Sequence, residues 1–107
     1  MAETILWKGA TGAEYKYYIY SLPHSGFKAE PGNYVFAKET ESSKFRPIYA
    51  GETEDLSERF DNHHAMPCIQ SNGATHITAH TNAAGDQARR DEEKDLRDNY
   101  NPVCNKQ

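Results

Sequence analysis

The chain has 107 residues, which predicts one domain with a modest core and leaves no room for a separate DNA-targeting module. A composition of 36% hydrophobic and 26% charged residues excludes an intrinsically disordered protein, and a net charge of -4 argues against strong unaided binding to duplex DNA. Because no apolar run approaches the roughly 18 residues of a membrane span and no secretory leader is recognisable, we expect a cytoplasmic protein with no membrane partner.

Two aromatic segments near the N-terminus predict a β-hairpin. Residues 13–22 are rich in tyrosine, and Tyr17 and Tyr18 fall on opposite faces of the alternating pattern that indicates a strand. Residues 5–12 supply a second short strand with a glycine-containing turn, and residues 23–32 predict a loop because they hold two prolines and two glycines. The hairpin suits either a dimer edge or a base-stacking platform, and ordinary sheet packing explains it equally well.

A second antiparallel hairpin is predicted by the apolar runs of residues 33–39 and 46–51, which flank a polar stretch. Gly51 is expected to end its second strand. Thr53 is a suitable N-cap, and two acidic residues follow it where the helix dipole favours negative charge. These signals predict a helix over residues 54–64.

A further strand is predicted between two helical segments. Residues 65–73 are broken by Pro67 and predict an irregular turn or a short helix. Residues 74–81 alternate cleanly and predict a third core strand. A long helix is expected over residues 84–99, because Pro102 forbids its continuation.

The element order is therefore ββ followed by ββαβα, which gives an α+β fold with a small mixed or antiparallel sheet. We expect residues 32–107 to form the core of the domain and residues 1–31 to form an N-terminal hairpin extension packed on it. Cys68 and Cys104 lie far apart and lack the C-x-x-C spacing of a zinc site, so both are expected to be reduced and structural.

The last predicted helix carries charges beside its apolar stripe. If each residue advances about 100° around the helix, Arg89, Glu92, Glu93 and Tyr100 lie within about 60° of Leu96. A solvated helix with i,i+3 and i,i+4 ion pairs is one explanation of this face, and a polar site is the other.

The helix predicted over residues 54–64 repeats this feature. Arg59 and His63 are spaced i,i+4 and flank the apolar stripe of Leu56 and Phe60. Taken alone, His63 is explained as a surface or capping histidine. With an arginine beside it and a tyrosine-bearing hairpin upstream, the set matches the residue types that phosphodiester hydrolysis uses.

Together these features resemble the GIY-YIG nuclease superfamily, which is defined by two short tyrosine motifs on a β-hairpin, a helical arginine and a glutamate on a later helix. The resemblance covers residues 32–105. The first motif is Gly-Asn-Tyr at residues 32–34, and the second is Tyr-Ala-Gly at residues 49–51. Residues 48–59 look like the family's second strand, turn and first helix, with Arg59 at the position of the catalytic arginine.

The C-terminal part extends the resemblance. Residues 93–105 are similar to the family's closing signature, with Glu93 at the metal-ligand glutamate and Asn105 at the terminal asparagine. His63 resembles a histidine of some restriction-enzyme members. One departure concerns the substrate, because members that act on DNA often carry a basic residue just after the second motif, where this chain has Glu52.

The resemblance implies a metal-dependent endonuclease that hydrolyses phosphodiester bonds of nucleic acid, with DNA expected over RNA. A protein partner or a homodimer is the expected source of targeting. Glu93 would hold one Mg²⁺ or Mn²⁺ ion, with waters and phosphate oxygens completing the shell.

The other matched residues receive roles in the same reaction. Tyr34 would act as the general base, and Tyr49 would orient water or phosphate. Arg59 would donate its fork of hydrogen bonds to the phosphate oxygens as charge builds. His63 would position the water or take its proton, and Asn105 would tie the end of the chain against the site.

Several of these residues have competing explanations, and the two motif tyrosines are also explained as ordinary sheet residues. His76 and His80 face the same way on one strand and are a weaker candidate for a metal pair. Glu92 becomes the ligand if the last helix is rotated, and Arg89 is then only a salt-bridge partner of these carboxylates. For the whole protein, the alternative functions are a catalytically silent binding or adaptor domain of the same fold and an acidic protein-interaction module.

Overall fold

A computed structural model describes residues 3–23, 26–41, 44–58 and 63–106 of the chain. These residues form a small α+β fold with two α-helices and one five-stranded sheet, in which every neighbouring pair of strands is antiparallel. The elements are, in chain order, β1 (Thr4–Lys8), β2 (Glu14–Ser21), β3 (Gly32–Glu41), β4 (Lys44–Thr53), α1 (Met66–Ser71), β5 (His76–Thr81), α2 (Asp86–Tyr100) and a C-terminal 3-10 helix (Val103–Lys106). Neither α-helix of the described chain has the length and apolar composition that crossing a membrane requires.

Both predicted hairpins and the third core strand are confirmed, and the strands lie in the order β1-β2-β5-β3-β4. β5 joins the two halves of the chain, because it pairs with β2 on one side and with β3 on the other, so that Ala79 lies opposite both Tyr18 and Tyr34. The N-terminal hairpin therefore extends the same sheet, and β4 forms the far edge. Trp7 and Tyr17 are buried on one face of this hairpin, whereas Tyr18 is exposed on the other.

Alternation along the strands divides the core between the two faces of the sheet. On one face α2 packs through Leu96 onto Trp7, Tyr17, Val35 and Ala50. On the other face α1 covers a larger cluster, whose members include Phe36, Ile48, Leu56, Ile69, Ile77 and Cys104. Each fully buried large apolar side chain contributes about 1.5 to 3 kcal/mol. These two clusters fix the positions of α1 and α2 on the sheet.

The helix predicted over residues 54–64 is wrong in its described part, because residues 54–58 form a bend and turns. The Thr53 hydroxyl accepts a hydrogen bond from the Asp55 amide at 3.1 Å, and the Asp55 carboxylate accepts one from the Ser57 amide at 2.8 Å. Short polar side chains that bond neighbouring amides in this way compete with the helical hydrogen bonds. The residues that favour an N-cap therefore make a turn here.

Other boundaries differ by a few residues. α1 confirms a short helix within residues 65–73. Pro67 lies in its first turn, where the backbone amides have no partner within the helix, so the missing amide proton costs no hydrogen bond. β4 continues past Gly51 to Thr53, because β3 still pairs with it there. α2 begins at Asp86 and has a left-handed residue as its C-cap.

The expectation that both cysteines are reduced is wrong, because Cys68 of α1 and Cys104 of the 3-10 helix form a disulfide with their Cα atoms 5.8 Å apart. The separation of 36 residues conceals this contact, since β5 and α2 lie between the two cysteines in sequence. The Asn72 side chain donates to the Cys68 carbonyl at 2.8 Å and holds the end of α1 beside the bridge. The disulfide therefore ties the C-terminal tail to α1.

Candidate active site

The two motif tyrosines lie side by side on the β3–β4 hairpin. The rings of Tyr34 and Tyr49 are stacked, with centroids 6.2 Å apart and planes 23° apart. Tyr34 is only 4% exposed, whereas Tyr49 is half-buried. A Cβ atom added at Gly51 would lie 2.6 Å from the Tyr34 hydroxyl oxygen, so the glycine of the second motif makes room for this ring.

His63 joins the tyrosines through a hydrogen bond of 2.7 Å between its Nε2 and the Tyr34 hydroxyl. The amide of Ala65 donates to the other ring nitrogen, Nδ1, at 3.0 Å. Because Nδ1 accepts, the neutral ring carries its proton on Nε2. His63 therefore donates to the Tyr34 oxygen, and the hydroxyl proton of Tyr34 points away from the imidazole.

The surroundings of His63 keep its ring neutral. Burial lowers the pKa of His63, and the charge of the adjacent His64 lowers it further. The two imidazoles are stacked, with centroids 4.5 Å apart. Protonation would also place a proton on Nδ1, which the Ala65 amide faces at 3.0 Å. A neutral His63 that donates to Tyr34 is therefore the stable arrangement.

Glu93 approaches this cluster from α2. Its carboxylate accepts a hydrogen bond from Arg97 Nη1 at 2.9 Å, and its side chain is 20% exposed. Burial raises the pKa of Glu93, although the ion pair with Arg97 opposes the rise. Burial also raises the pKa of both Tyr34 and Tyr49, and the negative charge of Glu93 adds to both increases.

Tyr34 is a protonated phenol in this arrangement. Burial raises its pKa well above the ordinary value, and the neighbouring Tyr49, Glu93 and Glu52 add to the rise. A phenol in such surroundings holds its proton at neutral pH. A general base at this position therefore requires a compensating positive charge nearby.

Asn105 fastens the C-terminal tail to β4. Its Oδ1 accepts a hydrogen bond from the Ala50 amide at 2.8 Å, and its Nδ2 donates to the Ala50 carbonyl at 2.9 Å. Ala50 is the middle residue of the second motif, between Tyr49 and Gly51. The side chain thus satisfies both backbone groups of one edge-strand residue, as a neighbouring strand would.

The carboxylates at this site fit one mode of metal binding. The described part of the chain holds no group of three or more His, Cys, Asp and Glu side chains that could bind a metal. Glu93 and Glu52 are near enough for the charge of Glu52 to raise the pKa of Glu93, after the larger effect of burial. One or two carboxylates suit Mg²⁺, which keeps several waters and takes its remaining ligands from substrate phosphate. The residues present fit that mode and do not form an all-protein cage.

Four residues singled out in the sequence lie elsewhere or have other partners. Glu92 is nearly buried, and its Oε2 accepts hydrogen bonds from the Tyr17 hydroxyl and from His80 Nε2, both at 2.6 Å. Arg89 is 3% exposed and pairs with Asp86 and, at 3.0 Å, with Glu52. Arg89 therefore has ion-pair partners other than Glu92, and its alternative explanation as a salt-bridge partner of Glu92 is wrong.

The two histidines of β5, His76 and His80, form hydrogen bonds with different residues. His80 bonds to Glu92, whereas His76 Nδ1 lies 2.8 Å from the Thr75 hydroxyl and its ring packs against Phe45. The two imidazoles thus have different partners, and they lie near opposite ends of β5. The arrangement gives no support to a metal site at this pair.

Two residues at the site were not anticipated from the sequence. Arg97 pairs with Glu93, and their i,i+4 spacing on a helix was a signal that could have indicated it. The ring of His64 lies 6.0 Å from that of Tyr49 and stacks on His63. No pattern marks His64, because its position depends on the turns between β4 and α1.

The structure thus brings Tyr34, Tyr49 and His63 together, with Asn105 beside them through Ala50. Glu93 lies on α2 and is paired with Arg97, and Arg59 lies outside the described residues. No family model, curated protein or solved structure matches the chain. What the site does is therefore inferred from its own residues.

Proposed function

We propose that the chain is a metal-dependent endonuclease of GIY-YIG type that hydrolyses nucleic-acid phosphodiester bonds, with DNA the expected substrate. The observation that carries the proposal is the convergence of Tyr34, Tyr49 and His63, which come from two strands and a loop. The negative charge of Glu93 on α2 adds to the pKa of both phenols, after the larger effect of burial. Ordinary sheet packing does not require two stacked phenols with a neutral imidazole bonded to one of them. Phosphodiester hydrolysis uses these groups together.

Glu93 is the residue that would hold a Mg²⁺ or Mn²⁺ ion, with Glu52 near it. A divalent cation there supplies Lewis-acid polarisation of the phosphate oxygens and makes a bound water more acidic. Positive charge at this carboxylate would also offset the negative charges that raise the pKa of Tyr34.

Tyr34 and His63 act together on the attacking water. The Nε2 proton of His63 points at the Tyr34 oxygen at 2.7 Å and would stabilise the phenolate that forms when Tyr34 gives its proton to solvent. Tyr34 in turn accepts a proton from water, and Tyr49 orients the water or the phosphate from its half-buried position. Asn105 holds the backbone of the second motif in place.

Arg59 enters the proposal through the resemblance alone. It lies five residues after Glu54 in the segment that follows β4, and its guanidinium would donate to phosphate oxygens as charge builds on them. Its contribution is best measured directly, by substitution.

A catalytically silent binding or adaptor domain is the second candidate, and one contact favours it. Arg97 already neutralises the Glu93 carboxylate, so the group proposed to bind a cation has a partner within the protein. The net charge of -4 points the same way, because strong nucleic-acid binding usually requires clustered basic residues.

Cleavage assays separate the two candidates. Supercoiled plasmid, a duplex, a single-stranded DNA and an RNA hairpin are incubated with Mg²⁺ or Mn²⁺ and with the wild type, Glu93→Ala or Arg59→Ala. We expect metal-dependent cleavage of at least one substrate and a loss of roughly 10²-fold or more in each variant. Lys94→Ala is the matched control, because Lys94 follows Glu93 on α2 and pairs with Asp98 at 2.7 Å, with its side chain largely exposed.

Two outcomes would overturn the nuclease proposal. The first is that the wild type cuts no substrate with either metal. The second is that folded Glu93→Ala and Arg59→Ala proteins cut as fast as the wild type. In either case the adaptor function would take its place.

A further inference from the structure

We propose that Arg97 is a phosphate-binding residue of the site that also competes with the metal ion for Glu93. In the absence of substrate its guanidinium holds the carboxylate, and when a cation occupies Glu93 it turns to the substrate phosphate. This inference rests on the proposed nuclease function and adds a residue to it.

The contact between the two side chains is direct. Arg97 Nη1 donates to Glu93 Oε2 at 2.9 Å across one turn of α2. The carboxylate is the more enclosed partner, with 20% of its side chain exposed against 45% for Arg97. The arginine is therefore the more solvent-accessible partner, and its side chain is the one that can move away from the contact.

The position of Arg97 differs from that of the other i,i+4 pair on the same helix. The positive charge of Arg97 acts on the site itself, because it opposes the increases that burial causes in the pKa of Glu93 and of Tyr49. Lys94 and Asp98 form the comparison pair at 2.7 Å, and their side chains are 71% and 50% exposed.

Competition follows from the number of carboxylate oxygens. A cation at Glu93 needs the oxygen that now accepts from Arg97, or its neighbour, and two positive groups at one carboxylate repel each other. The guanidinium released in this way lies beside Glu93, where the proposed reaction requires the phosphate. Its planar fork can donate two hydrogen bonds to a phosphate, which a lysine ammonium imitates poorly.

Direct binding of Mn²⁺ tests the competition without any need for turnover. Free Mn²⁺ is titrated by electron paramagnetic resonance with the wild type, Arg97→Gln, Arg90→Gln and Glu93→Ala. Arg97→Gln is expected to tighten Mn²⁺ binding by about two- to five-fold, the range of a partly exposed ion pair. Arg90→Gln removes the same charge from a residue whose nearest carboxylate contact is Glu52 at 4.0 Å, so its effect should be smaller.

Binding of an oligonucleotide tests the phosphate contact. The affinity for single-stranded and duplex 20-mers is measured in Ca²⁺ over a range of salt concentrations. Arg97→Gln should weaken binding and reduce the slope of log K against log salt by about 0.7 to 0.9, the value for one phosphate contact. Arg97→Lys should restore the slope in part, and Arg90→Gln should leave it unchanged. A helix-stabilising ion pair alone would not move this slope.

The results distinguish this inference from the proposed function. If the wild type cuts nucleic acid while Arg97→Gln alters neither Mn²⁺ affinity nor the salt slope, the role of Arg97 is overturned and the nuclease stands. If Mn²⁺ binding depends on Glu93 and tightens in Arg97→Gln, with the expected loss of slope, the role of Arg97 is supported even where cleavage is absent. If neither protein binds Mn²⁺, the competition is overturned together with the metal site.

Discussion

At the scale of single residues, two buried tyrosines, Tyr17 and Tyr34, form hydrogen bonds with different partners and have different proposed roles. The Tyr17 hydroxyl donates to the nearly buried Glu92 carboxylate at 2.6 Å, and burial raises the pKa of Tyr17 well above its ordinary value, with Glu92 adding to the rise. The Tyr34 hydroxyl lies 2.7 Å from His63 beside the site. The first bond stabilises the fold, and the second is part of the proposed chemistry.

Removal of the two hydroxyl groups should separate these tasks. Tyr17→Phe is expected to lower the free energy of unfolding by about 1 to 3 kcal/mol, because a buried carboxylate loses a donor, and to leave cleavage nearly unchanged. Tyr34→Phe should cost less stability and abolish most cleavage. Denaturant unfolding and an endonuclease assay on both proteins measure the two effects. Equal losses of activity in the two variants would contradict the assignment.

The protonation of His63 gives a second test at this scale. Burial and His64 lower the pKa of His63 from its ordinary 6.5, so the folded protein binds this proton less tightly than the unfolded chain does. The contribution of His63 to stability is therefore fully present above pH 6.5 and declines as the pH falls from 6.5 toward the lower folded pKa.

Titration of the imidazole signals by nuclear magnetic resonance measures this shift. The midpoint for His63 should lie below 6.5, and His64→Gln should move it upward because a neighbouring positive charge is lost. Tyr34→Phe should change the midpoint as well, since it removes the acceptor of the Nε2 proton. A midpoint at or above 6.5 in the wild type would contradict the inference that burial and His64 lower the pKa of this ring.

The sequence could predict which residue types form the site better than it could predict their partners. The two motif tyrosines and Glu93 were identified through the resemblance to a nuclease family, and the two tyrosine rings do stack on one another. Asp95 was missed, because its role depends on the turn after β1. That turn brings the Thr11 amide to within 2.9 Å and the Tyr15 hydroxyl to within 2.7 Å of its carboxylate. Such contacts join distant segments and leave no periodic signal.

At the scale of elements, the C-terminal tail is the part of the site that depends most on tertiary contacts. The disulfide joins Cys104 to α1, and the next residue, Asn105, is bonded to the Ala50 backbone of β4. α1 in turn follows directly after His63, whose Nδ1 accepts from the Ala65 amide. One covalent bond therefore holds two segments that carry predicted site residues.

Reduction of this disulfide should loosen both segments. The chain-entropy relation gives a stabilisation of about 4 kcal/mol for a loop of this size, so a reducing agent should lower the free energy of unfolding by up to that amount. Faster hydrogen exchange at the Ala50 amide should accompany the loss, because the Asn105 contact becomes transient. Thermal unfolding and hydrogen exchange, with and without a dithiol reductant, measure both effects.

A double variant provides the control for this experiment. Cys68→Ala combined with Cys104→Ala should behave like the reduced wild type and should not respond to the reductant. If the reductant changes neither the unfolding midpoint of the wild type nor the exchange of Ala50, the covalent link contributes nothing to the tail. If it changes the double variant equally, the effect does not arise from these cysteines.

Element prediction succeeded where periodicity was strong and failed where local hydrogen bonds decided the conformation. The alternation of residues 74–81 and the apolar runs of the second hairpin were sufficient for β3, β4 and β5. The helix expected after Thr53 was wrong over residues 54–58, because Thr53 and Asp55 bond amides two residues away and make turns. Residues that favour a helix start also favour such turns, and the sequence pattern does not separate the two outcomes.

At the scale of the whole molecule, the net charge limits the affinity of the protein for nucleic acid. The chain carries a net charge of -4, and Glu93 and Glu52 place two of its carboxylates at the candidate site. A divalent cation would reverse the local sign, so we expect nucleic-acid affinity to rise when Mg²⁺ or Ca²⁺ is present and to be weak without it. The protein-wide charge was readable from composition, whereas the local grouping of carboxylates required the fold.

The order of strands explains why distant motifs meet at one place. β3 lies between β4 and β5, so the two tyrosine motifs meet on one hairpin, and α2 returns over the sheet after β5 and contacts β4. The α+β class and the two hairpins could be predicted from the sequence. The joining of both hairpins into one sheet through β5 could not, because strand pairing between distant segments has no local signature.

The central claim is that Glu93 supports metal-dependent phosphodiester cleavage at the two tyrosines, and comparison of the wild type with Glu93→Gln in Mn²⁺ tests it most directly. Glutamine has the shape of glutamate without its charge, so loss of function would not reflect a change in packing. The account predicts that the wild type cleaves an end-labelled nucleic acid only with the metal, and that Glu93→Gln, folded with an unchanged unfolding midpoint, cleaves it at least 10²-fold more slowly. Cleavage at the wild-type rate by Glu93→Gln would contradict the account.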